Sequence, residues 1–296
     1  MSYIIGIDSG GTKSELKAYD LYDNVIYESV GGYGNPAVNL EETIANVCYI
    51  IDECLKTLGI DDCMFIGIGM AAVEMSDYAY IIGNYIEATF EIQTIVINDA
   101  EMACKAYLGR RDGIVAIAGT GSSCYVQRHG RGEIVGGWSH ILGDEGSGYH
   151  TVIEAFKNIT YEFDRDVPYD CLSAKLLEQI GGSSRSDIMK FIYSNQKNKI
   201  ASLFPIIVET ARTNNPDAIL LLENAGRFLA ETTIAAYRKK NFEDEITIGL
   251  KGGVFKHSSI VLSSYKYEIK KRINNFVLIE DDISSTKGVC NIFRSR

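Results

Sequence analysis

Short apolar runs separated by turn-forming residues occupy the first third of the chain. Runs of about five apolar residues bounded by glycine, aspartate or asparagine predict strands, and apolar positions at helical spacing predict helices. Gly59 follows one helical pattern and predicts its end. The predicted strands are residues 3–7, 14–19, 25–30, 64–68 and 94–98, and the predicted helices are residues 39–58, 77–88 and 101–108. This order predicts an α/β unit that opens with an antiparallel meander.

The pattern starts again after residues 109–113, a Gly-Arg-Arg-Asp-Gly segment that we interpret as a domain junction. Further strands are predicted at residues 113–118, 124–128, 245–251 and 276–279, with a glycine-rich irregular segment at 133–150, a mostly helical interval at 151–240 and a short helix from about Ser284. The length of the chain suits two modest domains. We therefore predict one domain from residues 1–112 with 284–296, and a second from residues 113–283.

Residues 4–12 and 115–122 share one pattern. Each segment is an apolar strand, a glycine turn that contains a threonine, and the start of a returning strand. A chain in which each half opens with its own hairpin is typical of a duplicated fold. The sequence therefore predicts an α/β protein with two related lobes.

Net charge narrows the classes of partner. The 296 residues carry a net charge of −10, with a pI near 5.0, which argues against nucleic acid or an anionic membrane surface. No apolar stretch approaches the roughly 18–20 residues that a membrane helix needs. Charged residues from Asp8 onward interrupt the first apolar run, so we expect no secretory leader.

The seven cysteines are odd in number, scattered, and never spaced as Cys-x-x-Cys. This usage favours buried thiols in a reducing compartment, and we expect a cytoplasmic protein. A metal or cluster site is the alternative.

The two glycine turns are suited to bind phosphate groups. Glycine allows backbone N–H groups to approach an anion closely, and it permits the positive φ angles that turn them inward. Two such turns facing each other across a cleft could hold the β- and γ-phosphates of a nucleotide, with hydroxyl donors from Thr12 and Thr120 and charge from Lys13. The alternative is a pair of ordinary hairpin turns. The matched positions favour phosphate binding.

A looser glycine pattern at residues 67–72 resembles a dinucleotide-binding fingerprint. It follows the fourth strand of its unit and lacks the acidic residue that would contact a ribose. We therefore set it aside.

Two aspartates lie at the ends of predicted strands. Asp99 is placed where ligands bind in open α/β sheets, and its carboxylate could accept the proton of an attacking hydroxyl group. The alternative is that Asp99 caps a helix that starts near Glu101. Asp8 is either a turn-forming residue or a carboxylate near Mg²⁺, acting through water.

Residues 136–149 form a glycine-rich segment that carries tryptophan, histidine, aspartate and glutamate. Such a segment cannot be mainly core. Asp144 and Glu145 could cap the helix that begins near Gly148, or bind sugar hydroxyls. Trp138 and His140 are each more often structural residues when considered alone.

Six motifs now carry a resemblance to a known family. They are Gly6-Ile-Asp-Ser-Gly-Gly-Thr-Lys-Ser14, Ile97-Asn-Asp-Ala100, Ile117-Ala-Gly-Thr-Gly-Ser122, Gly136-Gly-Trp-Ser-His140, Leu142-Gly-Asp-Glu-Gly-Ser147 and Lys251-Gly-Gly-Val254. Their combination resembles the BadF/BadG-type ATPase family, and within it the N-acetylglucosamine kinases of the sugar kinase, heat-shock chaperone and actin superfamily. The resemblance covers nearly the whole chain.

The resemblance implies two ribonuclease-H-like, actin-like lobes with ATP and sugar in the cleft between them. It also implies that the terminal helix returns to the first lobe. Asp99 is implied as the base that acts on the 6-hydroxyl of the sugar. The other implied contacts are Thr12, Thr120, Gly10, Gly11, Gly121 and Ser122 to phosphate, Gly252, Gly253 and Val254 to adenosine, and Asn35, Gly137, Trp138 and Asp144 to sugar.

We expect ATP- and Mg²⁺-dependent 6-phosphorylation of an N-acetylated amino sugar, either N-acetylglucosamine or N-acetylmuramic acid, in amino sugar metabolism and cell wall recycling. We also expect a homodimer. Val135 stands where the vertebrate-type kinases carry a cysteine beside the sugar, and residues 151–240 match no motif. Glucosamine or an uncharged hexose therefore stays open as the substrate.

Two other functions compete. Activator ATPases of 2-hydroxyacyl-CoA dehydratases belong to the same family and hold an iron–sulfur cluster on cysteines at a dimer interface. In this chain Cys124 has no second cysteine near it in sequence. A non-catalytic sugar-sensing regulator would carry a DNA-binding domain ahead of the fold, but the first strand starts at Tyr3 and the net charge does not suit DNA.

Overall fold

The computed structural model of the protein describes residues 1–242 and 245–296. These residues form two compact units. Unit 1 comprises Met1–Val115, Gln127–Glu133 and Ile283–Arg296, and unit 2 comprises Ala116–Val126 and Ile134–Asp282. The domain limits expected from the sequence, 1–112 with 284–296 and 113–283, stay a prediction.

The first sheet has five strands in the order β3-β2-β1-β4-β5. The strands are β1 (Tyr3–Ser9), β2 (Ser14–Asp20), β3 (Val25–Gly31), β4 (Cys63–Met70) and β5 (Thr94–Asn98). Strand β1 pairs antiparallel with β2 and parallel with β4, and β4 pairs parallel with β5. The carboxyl ends of β1, β4 and β5 therefore share one edge of the sheet, where open α/β sheets bind ligands.

Four helices accompany this sheet, namely α1 (Leu40–Leu58), α2 (Tyr78–Phe90), α3 (Asp99–Leu108) and α13 (Gly288–Arg294). Helix α1 begins after Asn39, whose side chain accepts a hydrogen bond from the Glu42 N–H, and ends at Gly59, whose φ is +91°. Buried apolar residues of α1, such as Ile50 and Ile51, join those of β1 and β4 in one core. The stop predicted at Gly59 is confirmed.

Glycines in the central strands allow α13 and the short 3₁₀ helix before it, Ser285–Lys287, to approach the sheet closely. A Cβ at Gly6 would lie 2.1 Å from the carbonyl oxygen of Thr286, and one at Gly67 would lie 2.8 Å from a methyl group of Val289. No side chain fits in either space. Gly67 therefore serves helix packing, in agreement with our rejection of a dinucleotide fingerprint.

The second sheet repeats the topology of the first. Its strands are β6 (Gly113–Ala118), β7 (Ser122–Arg128), β8 (Arg131–Gly136), β9 (Ile246–Lys251) and β10 (Phe276–Ile279), in the order β10-β9-β6-β7-β8. If the strands of this sheet are numbered from β6 and the order is taken from the β8 edge, it is again third, second, first, fourth, fifth. The duplicated architecture expected from the matched hairpins is present.

Unit 2 is rich in helices, as predicted for residues 151–240. They are α4 (Ser139–Leu142), α5 (Gly148–Asp164), α6 (Cys171–Ile180), α7 (Arg185–Ser194), α8 (Lys197–Ala201), α9 (Phe204–Ala211), α10 (Pro216–Lys239), α11 (Gly253–His257) and α12 (Ser259–Lys270). Helix α12 was not predicted, although Val261, Tyr265 and Ile269 are buried at four-residue spacing. Strand β8 extends into the segment 133–150 that was expected to be irregular, and helix α4 lies within it.

Within the described residues, no helix combines the length and the apolar character that crossing a membrane would require.

Candidate active site

Asp99 lies at the junction of β5 and α3. Helix α3 begins at Asp99 itself, and Asn98 is its N-cap, accepting a hydrogen bond from the Ala100 N–H at 2.8 Å. The alternative that Asp99 caps a helix starting near Glu101 is therefore wrong, because asparagine, an equally favoured cap, takes that position one residue earlier. The Asp99 carboxylate accepts from the same N–H at 2.9 Å.

Burial and negative neighbours raise the pKa of Asp99 to about 6. Desolvation is the largest cause, followed by repulsion from the Asp8 carboxylate, and Glu74 adds a smaller repulsion. Glu74 is held in place by Asn98, whose side-chain amide donates to it at 2.8 Å. Such a raised pKa is common for groups that exchange protons during catalysis.

Gly69 in β4 sets how closely α3 approaches the sheet. A Cβ on Gly69 would lie 2.5 Å from the Cβ of Met102 and 3.5 Å from the Cα of Asp99. Because the Cβ of Met102 cannot move without its helix, any side chain at position 69 would displace α3. Gly69 therefore helps to position the Asp99 carboxylate.

Asp8, in β1 at the same edge of the sheet, is close enough to Asp99 for their charges to repel. A cation beside the two carboxylates would relieve that repulsion, and oxygen donors of this kind suit Mg²⁺. No group of three or more metal-ligating side chains occurs in the part of the chain that the structure describes. The Asp8 carboxylate could hold a Mg²⁺ ion through the water shell of the ion, and this role of Asp8 stays a prediction.

The first glycine turn joins β1 to β2. It is closed by a hydrogen bond from the Gly10 N–H to the Lys13 carbonyl at 3.0 Å, and Gly11, Thr12 and Lys13 are exposed. Their backbone and the Thr12 hydroxyl are accessible to an anion.

The loop that carries Asn35 packs on this turn. The Gly34 N–H donates to the Gly10 carbonyl at 2.8 Å, and a Cβ on Gly34 would lie 1.7 Å from the Ser9 hydroxyl oxygen. Ser9 and Ser14 share a hydrogen bond of 2.7 Å beneath it. The structure thus brings Asn35, expected to contact sugar, beside the first glycine turn.

The second glycine turn joins β6 to β7 and is fixed by α5. The Gly119 N–H donates to the Gly121 carbonyl at 2.9 Å, and the Gly148 N–H at the start of α5 donates to the Gly119 carbonyl at 2.8 Å. Thr120 remains exposed. Its hydroxyl is accessible to an anion, and the phosphate contact expected of it stays a prediction.

The glycines of the two turns do not have the positive φ angles that we expected. Positive φ occurs at eight other described glycines, and Gly10, Gly11, Gly119 and Gly121 are not among them. Position 121 requires glycine for a different reason, namely that no side chain fits there. A Cβ on Gly121 would lie 2.8 Å from both an Asp144 carboxylate oxygen and the Lys197 ammonium nitrogen.

Asp144 lies under the second turn. It is 4% exposed, its φ is +65°, and its carboxylate accepts from the Ser122 N–H at 3.0 Å and pairs with Lys197. The Ser122 hydroxyl donates to the Glu145 carbonyl at 2.8 Å. The Ser122 N–H, expected as a backbone donor to phosphate, is therefore engaged by Asp144 instead. Asp144, expected to contact sugar, here fixes the turn.

Ser147 is the N-cap of α5, since its hydroxyl accepts from the His150 N–H at 3.1 Å. The alternative that Asp144 or Glu145 caps this helix is therefore wrong. The positive φ of Asp144 bends the chain before the helix starts.

Gly137 and Trp138 follow β8. A Cβ on Gly137 would lie 3.1 Å from the Cβ of Ser123, next to the second turn, and φ at Gly137 is +72°. The Trp138 side chain is 71% exposed, and it is therefore not the packing residue that its type alone suggests. An exposed aromatic ring suits stacking on a sugar.

Gly252 and Gly253 connect β9 to α11. Gly252 has a φ of +106°, and a Cβ there would lie 2.4 Å from the Ala118 carbonyl oxygen, one residue before the second turn. Gly252 also borders a cavity of about 190 Å³. The side chain of Val254 is 2% exposed, so this residue can contact adenosine mainly through its backbone.

Glu74 and Lys197 were not found by sequence reasoning. Glu74 follows Ala72, whose φ is +61°, in a short 3₁₀ helix that the sequence does not signal. Lys197 lies 53 residues after its partner Asp144 and matches no motif. Neither contact had a local sequence signal.

Comparison with known proteins shows that the chain is similar to sugar kinases. The chain is 30% identical over 303 residues to the N-acetylmuramic acid/N-acetylglucosamine kinase of Clostridium acetobutylicum, covering 100% of this chain and 99% of that protein. A candidate N-acetylglucosamine kinase from Chromobacterium violaceum superposes with a TM-score of 0.79, at 22% identity and 98% coverage of both chains. A ROK family glucokinase from Streptomyces griseus, solved with glucose and AMPPNP, gives 0.66, at 16% identity and full coverage of both.

These likenesses confirm the predicted fold class, an α/β fold with two five-stranded sheets like that of the solved sugar kinases. The family model of the BadF/BadG/BcrA/BcrD ATPases matches residues 5–290, which is nearly the whole sequence. The family expected from the six motifs is thereby confirmed. This chain belongs to the BadF/BadG/BcrA/BcrD ATPase family.

Proposed function

We propose that this protein transfers the γ-phosphoryl group of ATP to the 6-hydroxyl of an N-acetylated amino sugar, N-acetylglucosamine or N-acetylmuramic acid. The chain is an ATP-dependent sugar kinase of the N-acetylglucosamine kinase type, as its full-length likeness to such kinases indicates. The choice of sugar and the roles of individual residues are the proposal.

Asp99 carries the proposal, because its position and its raised pKa both suit a general base. The sugar hydroxyl oxygen attacks the γ-phosphorus, the bond from that phosphorus to the oxygen of ADP breaks, and the hydroxyl proton passes to the Asp99 carboxylate. A carboxyl group with a pKa of about 6 is ionised at neutral pH and accepts a proton more readily than an ordinary aspartate does.

The residues around the two turns support binding of both substrates. In this proposal Thr12 and Thr120 donate to phosphate, and Lys13 adds charge beside the first turn. Gly11 and Gly121 offer backbone N–H groups, whereas the Gly10 N–H, also expected to donate to phosphate, is engaged by the Lys13 carbonyl and shapes the turn instead. Gly252, Gly253 and Val254 line the adenosine site, and Asn35, Gly137 and Trp138 contact sugar. Mg²⁺ near Asp8 supplies charge neutralisation for the phosphates when it is bound.

Three wider expectations belong to the same proposal. The two domains expected from the sequence act as ribonuclease-H-like lobes that close on their substrates and exclude water. The protein acts in the cytoplasm as a homodimer, in amino sugar metabolism and cell wall recycling. The seven cysteines are all free thiols, which supports a reducing compartment.

The activator ATPase alternative needs cysteines that can reach a shared cluster. Cys124 is 2% exposed, lies 3.4 Å from the Thr233 hydroxyl, and has a pKa raised to about 12 by burial. A thiol in this environment is not available at a surface. The cysteine nearest the second turn in sequence therefore does not favour that alternative.

A panel of sugars, read as ADP release, tests the proposal. N-acetylglucosamine and N-acetylmuramic acid should be phosphorylated with a higher kcat/KM than glucosamine or glucose. Asp99→Asn should lower kcat by at least about 10²-fold while sugar binding, measured by calorimetry, stays within a few fold. Wild-type turnover in this variant would rule out Asp99 as the base, and no ADP release with any sugar would rule out the kinase.

A further inference from the structure

The ammonium group of Lys197 lies directly against the second glycine turn. Lys197 is the first residue of α8, and a Cβ built on Gly121 would lie 2.8 Å from its nitrogen. The side chain is 27% exposed, so it is covered on the protein side and still reaches solvent. A positive charge is thus placed where the turn is expected to receive nucleotide phosphates.

An ion pair with Asp144 holds the Lys197 ammonium group beside the turn. Asp144, 4% exposed, pairs with Lys197 through one carboxylate oxygen and accepts from the Ser122 N–H through the other. The carboxylate therefore orients the lysine and the returning strand of the turn at once. A buried aspartate whose two carboxylate oxygens both make charge-assisted contacts holds a neighbouring cation in a fixed position.

We infer that Lys197 is a further phosphate-binding residue of the nucleotide site, and that Asp144 is its positioning residue. This inference rests on the proposed function only to the extent that the phosphates are those of ATP or ADP. A lysine ammonium that contacts a phosphate chain adds charge-assisted hydrogen bonds. Its contribution should therefore depend on how many phosphates the nucleotide carries.

A simpler role must be separated from this one. If Lys197 only neutralises Asp144, its removal would leave a buried negative charge beside the turn, and that charge would itself repel phosphates. A single Lys197→Met variant cannot distinguish the two roles. The double variant Asp144→Asn/Lys197→Met can, because it keeps the net charge of the wild type and keeps an amide oxygen to accept from the Ser122 N–H.

The experiment measures the affinity of the full-length protein for adenosine, ADP and ATP by calorimetry, without sugar. The double variant should bind ADP and ATP about 10- to 100-fold more weakly than the wild type and adenosine equally well. Asp144→Asn alone keeps the ammonium group but loses the carboxylate that orients it, so its affinity for ADP should lie between those of the wild type and the double variant. Lys199→Met, which removes the same charge from an exposed position in the same helix, is the matched control and should change nothing.

Wild-type affinity for ADP in the double variant would overturn the inference. A second measurement needs no variant: ADP, but not adenosine, should slow acetylation of Lys197 by acetic anhydride, followed by mass spectrometry, with Lys199 as the internal reference. Equal acetylation rates with and without ADP would also overturn it. Since both measurements omit sugar, a protein that binds nucleotide but phosphorylates no sugar would contradict the proposed function alone.

Discussion

The Asp99 carboxyl group keeps its proton over a pH range in which an ordinary aspartate is ionised. Its pKa of about 6 reflects burial first and the Asp8 charge second. A base must be ionised to accept a proton, so the proposed role and this pKa together fix how activity depends on pH.

We expect kcat/KM for the sugar to be constant above about pH 7 and to fall about tenfold per pH unit below about pH 6. The fall reflects protonation of Asp99 in the free enzyme, and initial rates of ADP release between pH 4.5 and 8 would measure it. A profile that stays flat down to pH 5 would contradict either the raised pKa or the role of Asp99. Circular dichroism across the same range is the control for folding.

Asp99, Asn98 and Glu74 also show what a sequence can and cannot reveal at the residue scale. The end of β5 and the position of Asp99 followed from the hydrophobic pattern, because a buried strand is short and apolar. Asn98 and Asp99 are equally favourable N-cap residues, so the sequence alone could not show which of them caps α3. The approach of Glu74 to Asp99 depends on a turn in which Ala72 has a positive φ. An alanine in the sequence does not signal such a turn.

At the scale of elements, the contact of α3 with β4 determines where the candidate base lies. Gly69 is the point of closest approach, since its missing Cβ leaves room for Met102. The sequence presented this glycine as part of a loose ligand-binding pattern. Only the packing of α3 against β4, two elements that are separate in sequence, explains why no side chain is tolerated at position 69.

Gly69→Ala should therefore displace α3, lowering the free energy of unfolding by about 1–3 kcal/mol and reducing kcat. Chemical denaturation and ADP release would measure the two effects. Gly83→Ala is the matched control: it lies in α2, and its added Cβ would meet only a Val96 methyl group at 3.6 Å. That substitution should be neutral or stabilising by up to about 1 kcal/mol. Equal effects from the two would contradict the account.

Helix α12 and strand β8 illustrate what pattern reasoning missed among the elements. Helix α12 has apolar residues at the expected spacing, but tyrosine and serine between them weaken the contrast. Strand β8 begins with polar residues and ends in glycine, and it lies at the edge of its sheet. Edge strands bury fewer side chains, so their hydrophobic pattern is weaker.

Across the whole molecule, the duplicated topology was predictable because both halves open with the same strand and turn. The contacts of the second turn were not, since Lys197 and Asp144 are joined only by the folded chain. The same holds for the core of unit 1, where residues from opposite ends of the sequence meet. Val289, fully buried, packs there with Phe65 and Met102.

Val289→Ala should lower the free energy of unfolding by about 2 kcal/mol, because two buried methyl groups are lost from a core that cannot close fully. Thermal or urea unfolding would measure it. Leu220→Ala, at a position that is 55% exposed, should change stability by less than about 0.5 kcal/mol. A small effect at Val289 would mean that α13 contributes little to unit 1.

The return of residues 283–296 to unit 1 also bears on how the protein is made. A ribosome synthesises these residues only after the whole of unit 2, although Val289, Cys290 and Ile292 belong to the core around β1 and β4. During translation the part of the first sheet around Gly6 and Gly67 therefore stays uncovered, although unit 2 can already fold. The half of the enzyme that emerges first is completed last, and nascent chains halted before residue 283 should be the ones that need protection from aggregation.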